Sequence, residues 1–191
     1  MASSPEARVL AAAFADDPLM AHIWPRSGRR HRVLADFWET RIEARRRRGI
    51  VDISRDGEDV VAVALWEPPN VVAPLVEPVT LLRTLGTAVP RAVRAIRLID
   101  AARPETPHLY LGAVGTLPEY QGRGFATVLI RRRLAEFRTD GFLVSNTAGT
   151  VPFYEGLGFR RDGEITIGHG PTVFPMSYRP PTASGAEPDA Q

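Results

Sequence analysis

Hydrophobic positions in the first third of the chain follow helical spacing and then strand-like runs. Residues 7–14 form an apolar run that ends before an Asp-Asp-Pro sequence, which predicts a short first helix. Apolar positions recur every three or four residues over residues 30–47 and predict a second helix, which Gly49 ends. Residues 50–54 and 60–66 are rich in apolar residues and flank an Asp-Gly turn, so they predict two paired strands.

The middle of the chain alternates between weak and strong patterns. Prolines interrupt residues 67–107, where helical spacing survives only over residues 79–87 and 91–101. Residues 109–114 are almost continuously apolar, as expected for a strand in the middle of a sheet. A glycine-containing turn follows this strand, and helical spacing then continues to Phe137.

The last predicted elements are short. Residues 142–145 predict another core strand, and residues 151–157 predict a short helix that closes at Gly158. Residues 164–168 and 173–179 are expected to pair as a final hairpin. Helices followed by a meander, and then by alternating strands and helices, indicate a mixed α/β, or α+β, domain.

A single domain is expected, because 191 residues with 44% hydrophobic content suffice for one substantial core. We assign residues 1–179 to this domain and place a helical insert at about residues 67–107. Residues 180–191 are rich in proline and alanine, and we expect them to form a disordered tail.

Several absences restrict the function classes. The chain has no cysteine, which excludes disulfides, thiolate metal sites and a cysteine nucleophile, and no metal is expected. No apolar run approaches the roughly 18 residues of a membrane span. The N-terminal segment also lacks the basic region of a secretory signal. The expectation is therefore cytoplasmic residence without a membrane partner.

The basic residues are of one type only. All 24 are arginine, and the net charge of the chain is only +2. The arginine runs at residues 45–48 and 131–133 raise the alternative of anion or nucleic-acid binding. The small net charge and the usual exposure of charged helix faces favour solvated runs and no nucleic-acid partner. Arg133 is an exception, because it falls on the apolar stripe of its helix and must reach solvent or find a partner.

The glycine turn is the strongest chemical signal. The sequence PEYQGRGFATVLIRRRL, residues 118–134, places Gly122 and Gly124 between a predicted strand and a predicted helix. Unpaired N–H groups and the helix dipole favour an anion there, especially a phosphate. The absence of lysine excludes a Walker A loop, and the spacing from the strand disfavours a dinucleotide-binding loop. A coenzyme A diphosphate loop and a turn that only tightens packing both remain open.

Two segments resemble motifs of the GNAT superfamily of N-acetyltransferases. VGTLPEYQGRGFA is similar to motif A, with Gln121, Gly124 and Ala126 at its key positions, and VPFYEGLGFRRDGE, residues 151–164, is similar to motif B. With AAAFADDP and AVALW added, the resemblance covers about residues 9–178 and is strongest to bacterial proteins of the puromycin N-acetyltransferase type. It implies a mixed, mostly antiparallel central sheet that is splayed in the middle and flanked by helices.

The resemblance implies acetyl-CoA as the acyl donor and assigns its contacts. The backbone of the motif A strand would hold the pantetheine arm, the glycine turn would hold the diphosphate, and two residues near motif B would complete the site. These residues are Ala113, Val114, Gly115 and Thr116 for the arm, Gln121, Gly122, Arg123, Gly124, Phe125, Ala126 and Thr127 for the diphosphate, and Asn146 and Phe153.

Catalytic chemistry is assigned only in part. Tyr154 matches the family's tyrosine that donates a proton to the departing thiolate, and a phenol titrating near ~10 is protonated at neutral pH. Val144 occupies a position where many puromycin-acetyltransferase-like proteins carry Glu, so the general base is open. The alternatives are a water relay through Ser145 or Asn146, the imidazole of His108, and an acceptor amine that needs little help.

The acceptor pocket is expected between the first two helices and the insert. Met20, His22 and Trp24 would form an apolar, partly aromatic wall for a small organic amine, while Asp16 and Asp17 would attract a cationic amine or only form a turn. The expected reaction is acetyl transfer to the primary amine of a small molecule, an antibiotic or a metabolite, by a monomer or homodimer. The alternatives are a protein or peptide N-terminal acetyltransferase and a non-catalytic acyl-CoA sensor.

Overall fold

The protein was analysed as a computed structural model that describes residues 3–181. The predicted disordered tail, residues 180–191, lies outside the described residues except for its first two positions. The helices and strands follow in the order α1 (Pro5–Ala13), α2 (Pro18–Ile23), α3 (Ser27–Arg48), β1 (Ile50–Asp56), β2 (Asp59–Glu67), α4 (Pro78–Leu85), α5 (Val89–Ala101), β3 (Leu109–Thr116), α6 (Phe125–Phe137), β4 (Gly141–Ser145), α7 (Val151–Glu155), β5 (Phe159–Arg161), β6 (Ile165–Thr166) and β7 (Thr172–Tyr178).

The strands of the described residues form one seven-stranded sheet in the order β1-β2-β3-β4-β7-β5, with β6 pairing to β7. Neighbouring strands run antiparallel except β3 and β4, which are parallel. The predicted mixed, mostly antiparallel sheet is therefore confirmed. A parallel pair needs a long crossover, and α6 supplies it between β3 and β4.

Helices cover both faces of the sheet, and β2 shows why. Every residue of β2 after Asp59 is buried, as expected for a strand covered on both sides. Val63 and Leu65 belong to the core formed with α1, α2, α3 and α5, whereas Ala64 and Trp66 belong to the core formed with α6 and α7. Side chains alternate between faces along a strand, so one strand serves two cores.

The sheet opens in the middle, as predicted from the family resemblance. The parallel pairing of β3 with β4 ends at the pair Leu111 and Leu143. Both strands continue beyond this point, to Thr116 and Ser145 respectively. Their facing edges therefore leave backbone groups without a strand partner, and a cleft opens between them.

A β-bulge lies where the sheet begins to open. The pairing of β2 with β3 shifts between Leu65 and Trp66, which leaves Gly112 as an extra residue on β3. A Cβ atom at Gly112 would lie 2.9 Å from Nη2 of Arg45. Glycine at the bulge therefore allows a guanidinium to lie against the backbone of β3.

Helix α6 is anchored to the sheet by a buried carboxylate on β1. Asp52 accepts hydrogen bonds from Arg132 Nη2 and from Arg133 Nε, both at 2.9 Å. This carboxylate, only 5% exposed, raises the pKa of Arg133 mainly through that hydrogen bond. The arginine that the sequence placed on an apolar stripe thus has a partner.

The structure differs from the sequence-based prediction in several elements. The loop predicted over residues 16–25 contains α2, because Asp17 caps a helix instead of only forming a turn. Strand β5 was not predicted, since three residues show too little periodicity. β2 also extends to Glu67. The sequence placed this residue at the start of the insert, whereas in the structure it is the buried last residue of the strand, 3% exposed.

Candidate functional site

One large cleft follows the opening between β3 and β4, with a volume of about 1530 Å³. The ends of α1 and α2, the start of α6 and helix α7 surround it near the open edge of the sheet. Helices α3 and α5 line its other end. The predicted motif A and motif B segments therefore meet in one cavity.

The turn before α6 carries a row of free backbone donors. Among the described residues, the N–H groups of residues 122–127 have no backbone or side-chain acceptor, and no side chain caps α6. Gly122 and Gly124 have φ angles of 76° and 85°, a conformation that favours glycine. A Cβ at either position would meet no atom within 4 Å, so the loop is open to the cleft. This arrangement fits an anion that needs several donors at once.

Side chains around the turn hold its shape. Gln121 Nε2 donates to the Thr116 carbonyl at 3.3 Å and so ties the turn to the end of β3. The guanidinium of Arg123 lies 4.9 Å from the ring centre of Tyr120, and that ring packs edge-on against Phe125. The motif A glutamine thus contacts the protein backbone in this structure.

The cleft brings together every predicted coenzyme contact except Arg123. Arg123 lies over Tyr120 and outside the lining of the cleft. The residues that line it are Ala113, Val114, Gly115, Thr116, Gln121, Gly122, Gly124, Phe125, Ala126, Thr127, Asn146 and Phe153.

Tyr154 lies on α7 and lines the same cleft. Its ring packs against Phe153 and Phe159, with ring centres 5.0 Å and 6.2 Å away. Its hydroxyl makes no hydrogen bond with any described residue. Burial, followed by the negative charge of Asp17, raises the pKa of Tyr154 well above its usual value. The phenol therefore remains protonated throughout the neutral range.

Asp17 lines the cleft from the N-terminus of α2. One carboxylate oxygen accepts the Met20 N–H at 2.9 Å, and the other accepts Asn146 Nδ2 at 3.0 Å. Burial raises the pKa of Asp17, although these hydrogen bonds act in the opposite direction. Its negative charge also acts on Tyr154, so a carboxylate and a protonated phenol line the same cleft and influence each other.

The base candidates named from the sequence lie in different surroundings. Val144 lines the cleft and packs against the core, so β4 offers no carboxylate at that position. The hydroxyl of Ser145 is hydrogen bonded to Thr147 and Thr150 and does not line the cleft. His108 lines it at the start of β3, where Nδ1 lies 2.8 Å from a carbonyl and its ring packs edge-on against a phenylalanine.

Of the three predicted acceptor contacts, only Met20 lines the cleft. Trp24 is a core residue, because its indole N–H donates to the Thr84 carbonyl at 3.2 Å and only 2% of the residue is exposed. His22 packs so closely against Gly170 that a Cβ there would overlap its ring. The predicted wall is therefore wrong for His22 and Trp24. His22 lies two positions after Met20 on α2 and so faces away from it, and Trp24 follows the end of the helix with its side chain in the core.

A charged cluster occupies the far end of the cleft. Glu67 accepts Arg45 Nη2 at 2.8 Å and Arg103 Nη1 at 3.2 Å. The guanidinium of Arg103 also stacks 3.9 Å above the ring centre of Tyr110. Burial, followed by the charge of Arg41, lowers the pKa of Arg45 to about 10. These residues all line the cleft.

Sequence analysis missed this cluster, although one signal for it was present. Arg45 was assigned to a solvated run, yet it follows Trp38 and Ile42 at intervals of four and three residues on the buried stripe of α3. It is 3% exposed, whereas the three arginines after it are exposed. Glu67 carried a similar signal, because it continues the face of Val63 and Leu65 on β2.

Two features are absent from residues 3–181. No group of three or more metal-binding side chains comes together there. None of the helices in that range has both the length and the apolar character required to cross a bilayer.

Known proteins with the same architecture show what the chain is similar to. Residues 91–180 match the model of the acetyltransferase (GNAT) domain family. A structure from Corynebacterium glutamicum, described as histone acetyltransferase HPA2 and related acetyltransferase, is 26% identical over 94% of this chain and 91% of that chain, with a TM-score of 0.70.

More distant structures share the fold. Polyamine N-acetyltransferase of Drosophila melanogaster is 12% identical over 90% of this chain and 91% of its own, with a TM-score of 0.57. Naa20 of Chaetomium thermophilum, solved with a bisubstrate analogue, is 12% identical over 90% and 80% of the two chains, with a TM-score of 0.52. The motifs, the splayed sheet and the family match agree: residues 91–180 are similar to the GNAT acetyltransferase domain, the chain shares the fold of GNAT N-acetyltransferases, and these findings support an acyl-CoA-dependent N-acetyltransferase.

Proposed function

We propose that the protein transfers an acetyl group from acetyl-CoA to the primary amine of a small molecule, an antibiotic or a metabolite, by direct transfer. The observation that carries this proposal is the meeting of three features in one cleft: a row of free N–H groups, a protonated phenol and a carboxylate with a raised pKa. Anion binding alone would require only the first of them.

The free donors of residues 122–127 fit the diphosphate of the coenzyme. The unpaired edge of β3, residues 113–116, offers amide groups to the pantetheine arm in the way that a strand adds to a sheet. Phe153 and Asn146 line the remaining wall. When bound, acetyl-CoA supplies the acetyl group as a reactive thioester.

Tyr154 serves as the general acid. Its hydroxyl lies in the cleft without a hydrogen-bond partner among the described residues, and its raised pKa keeps the proton on the oxygen at neutral pH. The departing thiolate is the group that takes this proton, and the raised pKa makes the transfer more demanding than it would be from an exposed phenol. A phenol with a raised pKa is correspondingly a poor general base.

Asp17 serves as the general base, in place of the carboxylate that β4 lacks at Val144. Its carboxylate lines the cleft, and the amide of Asn146 holds it in place. Because burial raises its pKa, Asp17 binds a proton more readily than an exposed aspartate does. It is suited to hold an ammonium group and to accept a proton as that amine becomes nucleophilic.

The shape of the cleft supports a small acceptor. Residues of the insert and of α5 line its far end and so cover part of the space that an extended peptide would need. Among the structural neighbours, the Drosophila melanogaster enzyme is described as a polyamine N-acetyltransferase that forms N-acetylagmatine. A small primary amine is therefore the acceptor class that we propose.

The test measures thiol release from acetyl-CoA with a panel of small primary amines that includes puromycin, and with short peptides bearing free N-termini. We expect turnover with at least one small amine and little with the peptides. Turnover only with peptides would replace the proposal with N-terminal acetylation. Coenzyme binding measured by calorimetry, without turnover on any amine, would leave a sensor domain instead.

A further inference from the structure

The far end of the cleft lies well away from the glycine turn. Tyr110 and Thr116 are six positions apart on β3, which corresponds to about 20 Å at roughly 3.3 Å per residue. The glycine turn lies beyond Thr116, whereas the arginine cluster surrounds Tyr110. These arginines are therefore too distant to belong to the diphosphate site.

Only one of the carboxylates at this end is buried. The cleft is lined there by Arg41, Arg45 and Arg103 and by three acidic residues, of which Glu67 is buried while Asp100 and the exposed Glu105 are not. Glu67 is already paired with Arg45 and Arg103. Asp100 lies 3.9 Å from Arg103 but its side chain is 57% exposed, so water screens much of its charge.

Two of these arginines have unused donors. The guanidinium of Arg41 makes no ion pair or hydrogen bond with any described residue, although its residue is only partly exposed. Arg45 is 3% exposed, and its Nε has no hydrogen-bond partner. A buried cationic donor without an acceptor is costly, so an oxyanion that binds there relieves that cost.

Helix α3 runs along the acceptor pocket between its two ends. Its Trp38 lies 4.8 Å, between ring centres, from Phe14, which is three positions before Asp17. Arg41 and Arg45 follow Trp38 by about one and two helical turns of ~5.4 Å each. Asp17, Trp38, Arg41 and Arg45 all line the same cleft, so one ligand can meet the carboxylate at one end and a guanidinium at the other.

We propose that the acceptor carries a carboxylate at the end opposite its amine, with Asp17 receiving the ammonium group and Arg41, supported by Arg45, receiving the carboxylate. The apolar wall between these ends, which includes Trp38, Leu65 and Ile99, fits a short hydrocarbon or aromatic spacer. This substrate class rests on the proposed function, because it places both groups in the acetyl-acceptor part of the cleft.

Binding without the coenzyme is the first test. Calorimetry compares 4-(acetamidomethyl)benzoate, the product expected from 4-(aminomethyl)benzoate, with its uncharged amide 4-(acetamidomethyl)benzamide. We expect the carboxylate to bind at least about tenfold more tightly, because a guanidinium pairs with it through charged hydrogen bonds. Arg41→Gln should abolish this preference, and Arg41→Lys should retain part of it.

Arg48→Gln is the matched control. It removes the same charge from the same helix at an exposed position outside the cleft, so the preference for the carboxylate should persist. Equal binding of the acid and the amide by the wild-type protein would overturn the proposal. So would a preference that survives Arg41→Gln or that disappears in Arg48→Gln to the same extent.

Turnover is the second test, with benzylamine, 4-(aminomethyl)benzoate and 6-aminohexanoate as acceptors. We expect the two amino acids to have kcat/KM values at least about tenfold above that of benzylamine, with the difference lost in Arg41→Gln. Benzylamine turned over as well as the amino acids would overturn the substrate class while leaving the acetyltransferase assignment intact. Turnover of none of these amines would count against the proposed function, and the binding comparison would still decide the carboxylate site.

Discussion

At the scale of single residues, the proposed mechanism gives Asp17 and Tyr154 different parts of the proton chemistry, because burial raises the pKa of both. Burial raises the pKa of an aspartate toward the range in which it exchanges protons, and it raises the pKa of a phenol away from that range. One residue therefore gains basicity while the other keeps its proton. Their proximity strengthens this division, because the charge on Asp17 opposes ionisation of Tyr154.

The acid role of Tyr154 predicts a large effect on turnover. Tyr154→Phe removes the hydroxyl and keeps the ring that packs against Phe153 and Phe159. We expect kcat to fall by about 10²-fold or more, the usual size of a general-acid contribution, with little change in the dissociation constant for coenzyme A. Tyr178→Phe is the control, since Tyr178 packs against Phe159 and does not line the cleft. Equal effects of the two substitutions would exclude the acid role.

The base role of Asp17 predicts a change in the pH dependence. Activity should fall as pH decreases through the raised pKa of Asp17, because the protonated carboxyl cannot accept another proton. The midpoint should lie above ~3.9, the ordinary value for aspartate. Asp17→Asn should lower kcat/KM by about 10²-fold and remove this acidic limb, measured as the ratio of wild-type to variant activity across pH.

Stability gives a control for Asp17→Asn. A carboxyl with a raised pKa in the folded protein binds protons more tightly there than in the unfolded chain, so its contribution to stability decreases as pH rises through that window. Asparagine can still cap α2 and avoids the cost of a buried charge. At pH 7, the denaturant concentration at the midpoint of unfolding should therefore be at least as high for Asp17→Asn as for wild type. An inactive but destabilised Asp17→Asn would not support the role, and Asp56→Asn, at an exposed position outside the cleft, should leave activity unchanged.

At the scale of elements, the start of α6 depends on backbone more than on side chains. Gly124 precedes the helix with a φ angle of 85°, and no side chain caps the helix. The free N–H groups are thus available for a ligand because the sequence supplies no internal acceptor for them. The positive φ angle of Gly124 therefore affects both the stability of the fold and the binding of a ligand to these N–H groups.

Gly124→Ala should separate these two contributions. A side chain with positive φ costs about 1–2 kcal/mol, so the free energy of unfolding should decrease by about that amount. Gly57→Ala is a matched control, because Gly57 also has positive φ and open surroundings, but lies in the turn between β1 and β2. Both variants should be destabilised similarly, while only Gly124→Ala should weaken coenzyme A binding in calorimetry. Unchanged affinity in Gly124→Ala would contradict the diphosphate assignment.

At the scale of the whole molecule, the two halves of the sheet meet through a short contact. β3 and β4 pair at only three positions before they separate. A ligand that spans the opening and binds both strands should therefore stabilise the entire domain. At a coenzyme A concentration of about 100 times its dissociation constant, the expected gain is about 2.7 kcal/mol.

This gain should raise the melting temperature by roughly 5–10 °C for a chain of this size. Differential scanning calorimetry with and without coenzyme A provides the measurement. Pantetheine, which lacks the diphosphate, should give a much smaller shift at the same concentration. An equal shift with pantetheine would show that the glycine turn contributes little to binding.

The sequence predicted local patterns better than the contacts between distant segments. The glycine turn, the apolar β3 strand and the phenol of motif B were found because each produces its signal within a few residues. Asp17 was not assigned as a base, since its role depends on Asn146, which is 129 positions away in the chain. The pairing of Arg45 with Glu67 was missed for the same reason, because a charge within a buried stripe indicates a partner without naming it.

The position of β7 has a consequence for how the chain assembles during synthesis. This strand pairs with both β4 and β5, yet among the described strands it is the last to leave the ribosome. Until residues 172–178 emerge, β4 presents a bare apolar edge of the kind that recruits other chains. Nascent chains that stall before this point are thus expected to be clients of chaperones, and the release of β7 acts as the step that closes the sheet.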